Sequence, residues 1–149
     1  MFATNDIFTI EEGSGDVRME RILWIDEGGI VCFTIDLQDE KALPVKRKMS
    51  DLQEMSRDGL VMLSDKDPFA FVYQSEGSLP DKYKEMRDDR WKCISSIATR
   101  EPDIYESHKR GALVKRATGN AGKNKRLIYK YLKQYWQRGK VVNALLPDY

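Results

Sequence analysis

The spacing of apolar residues changes part-way along the chain, and that switch limits the folds open to it. Before about residue 75, apolar and β-branched residues come in short runs bounded by turn formers; after residue 81 they recur at helical spacing. The runs Asp6 to Ile10 (DIFTI), Glu20 to Ile25 (ERILWI) and Ile30 to Leu37 (IVCFTIDL) predict strands. Asp26-Glu27-Gly28-Gly29 separates the last two, with glycines able to take the positive φ of a tight hairpin. Ser50-x-x-Gln53 reads as a capping box opening a short helix, which Gly59 stops. Leu60 to Leu63 (LVML) closes the sheet, and Phe69 to Tyr73 (FAFVY) is a candidate for one more strand.

Glu76-Gly77-Ser78-Leu79-Pro80 is turn-rich and reads as a link. Tyr83, Met86, Trp91, Ile94 and Ile97 then predict a helix over 81–99, ended by Glu101-Pro102 because proline disfavours α geometry in the residue before it. Asp103-x-x-Glu106 is a second capping box, starting a helix to about Ala117 that Gly111 interrupts; Thr118 to Gly122 reads as a turn. Asn124 is a good N-cap for the last helix and Gly139 its stop. On that helix Leu127, Ile128, Tyr131, Leu132, Tyr135 and Trp136 share one face, and Arg126, Tyr129, Lys130, Lys133 and Gln137 the opposite one. Three helices with a short turn before a basic third is the layout of a helix-turn-helix. The expected fold class is therefore α+β: a small, mostly antiparallel β subdomain (1–75), a link (76–80), a three-helix helix-turn-helix domain (81–139) and a connector (140–149).

Charge sharpens the division. From Tyr105 to Lys140 there are eleven Lys and Arg against one acid, Glu106, a net of +10; residues 1–104 carry a net of −8. The near-neutral total of +1 thus conceals a polarised chain, and a cationic end of this kind suits nucleic acid. With 149 residues, 41% hydrophobic and 33% charged, the chain reads as globular rather than disordered. No apolar run approaches the about 18 residues a membrane helix needs, and no signal peptide is visible. Cys32 and Cys93 sit far apart inside apolar patterns and read as buried thiols. The location expected is cytoplasmic, on the nucleoid when bound.

The outer face of the last helix carries the binding chemistry. Arg126 is placed to fork onto a guanine, and Tyr129 and Lys130 to reach bases or sugar. Lys123, Lys125, Lys133 and Arg138 suit phosphates, with Asn124 among them; Lys115 and Arg116 on the preceding helix add backbone contacts, as do Lys109 and Arg110. Gly119-Asn120-Ala121-Gly122-Lys123-Asn124 is not a phosphate loop: its spacer is two residues, no Ser or Thr follows the lysine, and a helix precedes it. His108 is the single histidine, which leaves little material for a His-based metal site or nucleophilic relay. Nothing here predicts catalysis or a cofactor in this chain.

Tyr135-Trp136-Gln137-Arg138-Gly139, followed after three residues by Asn143-Ala144-Leu145-Leu146-Pro147-Asp148-Tyr149, resembles the N-terminal region of the transposase B subunit (TnsB) family of Tn-seven-like transposons. Ile128-Tyr129-Lys130-Tyr131-Leu132 matches that family's recognition-helix pattern, and weaker likeness runs through Arg21 to Ile25, Asp58 to Val61 and Asp67-Pro68-Phe69. The resemblance implies a parent DDE transposase with an RNase H-like core using divalent metal. It implies binding to double-stranded DNA at repeated transposon-end sites. Further implied partners are other transposase protomers, an endonuclease and an ATP-dependent regulator. On this reading the chain stops before the catalytic core, is itself no enzyme, and holds no metal. Two alternatives stay open: a bacterial helix-turn-helix transcription regulator with a ligand-sensing β part, and a protein-interaction module of a transposition complex.

Overall fold

A computed structural model of the chain describes residues 1–73 and 76–147. It falls into two units, Met1–Asp67 and Pro68–Tyr149. In the first, β1 (Ile7–Glu12), β2 (Asp16–Ile25), β3 (Val31–Asp36), β4 (Val45–Lys48) and β5 (Val61–Ser64) form one sheet in the order β4-β3-β2-β1-β5, every pair antiparallel. The helix α1 (Met49–Arg57) links β4 to β5. Register places Phe8 opposite Glu20 and Ile22 opposite Thr34, so the apolar residues of alternate positions share one face. There Phe8, Ile10, Ile22 and Cys32 pack with Met49 and Leu52 of α1 and Val61 of β5. The β2–β3 register shifts between Ile22 and Trp24, and Leu23 within the shift is buried as fully as Ile22.

That face ends in a polar network. Arg47 donates to both oxygens of the buried Glu20 carboxylate (3.0 and 2.9 Å), and Thr34 donates to it at 2.8 Å. Glu12 closes the network by accepting from Arg47 at 3.2 Å and from Arg18 at 2.6 Å. Burial alone would lower the Arg47 pKa, but the hydrogen bond and charge of Glu20, with Glu12 behind, raise it above its usual value. The buried carboxylate is thus compensated rather than orphaned.

The β unit departs from the sequence reading in three places. Ser50 does not cap α1: the N-cap is Lys48, without a side-chain bond, because β4 runs directly into the helix. The strand β4 (VKRK) escapes a hydrophobicity scan because it is a charged edge strand. Phe69 to Tyr73 is no strand but holds a 3-10 turn, Ala70–Tyr73, in the second unit. The hairpin at Asp26 to Gly29 forms as expected, with Gly29 at φ +68° and the Asp26 carboxylate accepting from the Ile30 amide at 2.6 Å.

The second unit holds α2 (Asp81–Ala98), α3 (Ser107–Ala121) and α4 (Lys125–Gln137). Its core gathers Ile94 and Ile97 of α2, Leu113 and Val114 of α3, and Ile128, Leu132 and Trp136 of α4. Tyr105 packs on Trp136 with ring centroids 5.8 Å apart, and Trp91 on Tyr135 at 5.2 Å. Asp103 does not cap α3. Asp103–Tyr105 forms a separate 3-10 turn that buries Ile104 and Tyr105, and α3 begins only at Ser107. The helix then continues through Gly111 and Gly119, so the expected turn at Thr118 to Gly122 shrinks to Gly122-Lys123-Asn124. Gly122 takes a left-handed φ of +64° there, a conformation a side chain would oppose.

The segments read as link and connector belong to this unit. Within 76–80, Leu79 is buried and Glu76–Ser78 is a 3-10 turn, while the two units divide at Asp67 and Pro68. Val142–Leu145 is another 3-10 turn, with Ala144, Leu145 and Leu146 buried. Arg87 donates to the Asn143 side-chain oxygen at 2.8 Å, and the Asn143 amide donates to the Val72 carbonyl at 3.0 Å. Gln134 and Arg90 donate to the carbonyls of Leu146 and Leu145. Gln74 and Ser75, assigned to the end of the β subdomain, and Asp148 and Tyr149, assigned to the connector, lie outside the described residues.

Candidate nucleic-acid interface

Two helices and a three-residue turn build the interface. Asn124 caps α4 as its sequence predicts: its side-chain oxygen accepts from the Leu127 amide at 3.0 Å. At the other end the Lys140 amide returns to the Tyr135 carbonyl at 2.8 Å across Gly139, closing the last turn. Both ends of α4 are thereby fixed, and burial of Ile128, Leu132, Tyr135 and Trp136 fixes its rotation. Arg126 and Lys130 are left exposed, and Tyr129 and Lys133 half-exposed, on the outward side. Lys123 and Asn124 are exposed in the turn, Lys125 on the first turn of α4, and Lys115 and Arg116 on α3.

Four of the eleven cations counted between Tyr105 and Lys140 have partners within the unit. Arg110 is buried and donates to the carbonyls of Ile104 and Tyr105. Lys109 pairs with Asp103 at 3.3 Å. Lys140 pairs with Glu101, which also accepts from the Tyr105 hydroxyl. Burial raises the Tyr105 pKa well above that of a free phenol, with Glu101's hydrogen bond and charge adding to it; burial and then Glu101 raise Tyr135 too. Arg138, read as a phosphate contact, lies half-buried over Phe69 and Phe71, 5.3 and 5.5 Å from the ring centroids. Its guanidinium is turned to the aromatic pair.

Seven cations remain: Lys115, Arg116, Lys123, Lys125, Arg126, Lys130 and Lys133. Among the described residues none of them makes an ion pair, and from Ser107 to Pro147 the chain has no carboxylate side chain. Lys125 sits 5.9 Å over the Tyr129 ring, which orients both at the start of α4. Between α3 and the α4 N-terminus lies an open groove of about 580 Å³, lined by Gly111, Lys115, Thr118, Gly119, Lys123 and Lys125 with Val114 and Asn124. Gly111, Thr118 and Gly119 escape a search for charged or aromatic residues, since only their smallness and position on α3 mark them. Among the described residues no group of three or more His, Cys, Asp or Glu side chains could hold a metal, and no helix is long and apolar enough to cross a membrane.

Comparison with known proteins agrees with this division. Residues 1–68 match the family model described as the TnsB N-terminal SH3-like domain, and residues 87–149 match the TnsB second domain. The Escherichia coli transposon Tn7 transposition protein TnsB is 30% identical over 129 residues. That match covers 87% of this chain and spans 18% of the relative's length. Two adjacent domain models of one family account for nearly the whole chain, which therefore belongs to the TnsB family and carries its N-terminal SH3-like and second domains.

Proposed function

We propose that this chain is a DNA-binding part of a transposase, recognising double-stranded DNA at repeated transposon-end sites through the helix-turn-helix formed by α3 and α4. The observation that carries this reading is the set of seven cations on α3, the turn and α4 that make no ion pair among the described residues, within a stretch free of carboxylates. In this motif the second helix enters the major groove and its N-terminal half meets base edges. Arg126, exposed in the first turn of α4, presents the forked donors that match guanine. Lys130 and Tyr129 follow one turn on, and Lys115, Arg116, Lys123, Lys125 and Lys133 contact phosphates. The chain contributes recognition and synapsis; strand cutting and joining, with its divalent metal, belong to a catalytic core these residues do not include. Other transposase protomers, a partner endonuclease and an ATP-dependent regulator act through the larger protein, in the cytoplasm of a bacterial cell and on its nucleoid.

The test is fluorescence anisotropy on a labelled transposon-end duplex and a scrambled duplex over a salt series. With Arg126 and Lys130 on bases or sugar and the other five cations on phosphates, log affinity falls with log salt at a slope of about −4.5. Tighter binding to the end duplex at physiological salt supports recognition. Equal affinity for both moves specificity elsewhere, and no binding at low salt refutes the reading.

A second role is favoured for the β unit by its surface. Net acidic, it exposes Met62 and Leu63 on the edge strand β5, which suits a protein partner rather than DNA. Met62→Glu with Leu63→Lys then impairs assembly of the transposition complex and spares DNA binding by the helical unit. Unchanged assembly refutes this role.

A further inference from the structure

We propose that the groove floored by Gly111 and Gly119 seats the sugar–phosphate backbone of one DNA strand, the two glycines being there to let that backbone approach α3 closely. This rests on the DNA-binding reading above and adds to it a contact surface made by main chain rather than by charge alone.

Both glycines lie inside α3, where glycine weakens a helix relative to alanine. The fold supplies no reason for them. A Cβ added at Gly111 or Gly119 would meet nothing within 4 Å, so no neighbouring element needs the space. Neither has the positive φ that would demand glycine, unlike Gly122 at +64°. Lys115 lies four residues from each, so the three occupy one side of α3 over a length of about 12 Å. Opposite stand Lys123 and Lys125, and no carboxylate lines the groove between them. The Asn124 side chain spends its oxygen on the Leu127 amide, which leaves its amide hydrogens for a ligand at the groove wall. Thr118 donates its hydroxyl to the Lys115 carbonyl at 2.6 Å and supplies no donor, so the lysines, Asn124 and approach of the backbone define what the groove takes. A polyanionic strand fits that chemistry: cations on both α3 and the α4 side, and two positions on α3 where no side chain holds the strand off the main chain.

The experiment compares the full chain with Gly111→Ala, Gly119→Ala and Gly119→Leu. Anisotropy is read on the end duplex and on a scrambled duplex across salt, and thermal unfolding on the free proteins. The expected result pairs opposite signs. Each alanine variant unfolds about 4 °C higher, because a helix interior gains a better helix former. Each also binds DNA about threefold more weakly, and Gly119→Leu, which fills the groove, at least tenfold more weakly. The loss is the same on both duplexes, since a backbone contact carries no sequence information. Should Gly119→Leu fail to fold, Gly119→Ala decides alone. Variants that keep the parent's affinity while the parent binds DNA overturn the groove and leave the recognition by α4 standing. A parent chain that binds neither duplex overturns both.

Discussion

Asn124 stands where stability and binding meet, and two substitutions separate them. Its side-chain oxygen accepts from the Leu127 amide at 3.0 Å, and its position lines the basic groove. Asn124→Ala removes the cap, at a cost of about 1 kcal/mol. The unit Pro68–Tyr149 has 82 residues. At about 2.1 cal/mol/K per residue its unfolding entropy is about 0.17 kcal/mol/K, so Tm falls by about 6 °C. Asn124→Asp keeps an acceptor oxygen in place and adds a negative charge at the helix N-terminus, so Tm stays within about 2 °C of the parent. The same charge stands beside Lys123 and Lys125 and offsets one cation. Losing one charge-assisted phosphate contact weakens binding by about 1.5 kcal/mol, roughly tenfold, and makes the salt slope shallower by about 0.9. The Tm measurement uses a Trp24→Phe background, in which Trp91 and Trp136 report the helical unit alone. If Asn124→Asp lowers Tm as far as Asn124→Ala does, the cap is not the stabilising contact argued here. If it binds DNA like the parent, the groove does not face the phosphates.

Three other outcomes follow from the same geometry. Arg126→Ala loses about ten- to a hundredfold of the discrimination between end and scrambled duplexes, the worth of one bidentate base contact; equal losses on both in an anisotropy titration would make Arg126 a backbone contact. Leu145→Ala, at a fully buried position, destabilises the helical unit by about 2–4 kcal/mol in urea titration; a change under about 0.5 kcal/mol would mean the 142–145 turn is not part of the core. Burial, with Glu20 and Asp26 adding and Arg47 opposing, pushes the Cys32 thiol from 9.0 up to about 11. A folded pKa above the unfolded one means the native state holds the proton longer, so this contribution is complete below pH 9 and is lost as pH rises to about 11. Urea stability measured from pH 8 to 11 therefore falls more steeply for the parent than for Cys32→Ala, and parallel curves would refute the shift.

What the sequence made legible is what one element decides alone. Runs of β-branched and aromatic residues mark β2 and β3, and helical periodicity marks α2 and α4, because each carries its apolar face in its own residues. The Asn124 cap and the Gly139 stop were readable because capping is local to one helix end. The misread starts have a common cause. Ser50 and Asp103 each stand in a capping-box pattern, but β4 feeds α1 directly and the Asp103–Tyr105 turn drives Ile104 and Tyr105 into the core. Tertiary burial overrode a local signal in both. The tail was misjudged for the same reason: Asn143 to Leu146 has no periodicity, and only its seats against Arg87, Arg90 and Gln134 make it structure.

The interface shows where a charge count over a window fails. Eleven cations against one acid overstated the free charge because Glu101 and Asp103 lie just before the window and fold back onto Lys140 and Lys109. Arg110 and Arg138 found neutral partners, carbonyls and phenyl rings, that no charge tally registers. The discount falls unevenly, and that is informative. Lys109 and Arg110 lie on the first turn of α3, while Arg138 and Lys140 lie beyond the last residue of α4. The seven survivors run from Lys115 to Lys133, in the turn at 122–124 and on the helix segments flanking it. Cations at the outer ends of the motif have partners within the unit, and those at its centre make no ion pair among the described residues. A mere excess of solubilising lysine has no cause to sort itself in that way, whereas a helix-turn-helix that meets DNA at its turn and recognition helix does.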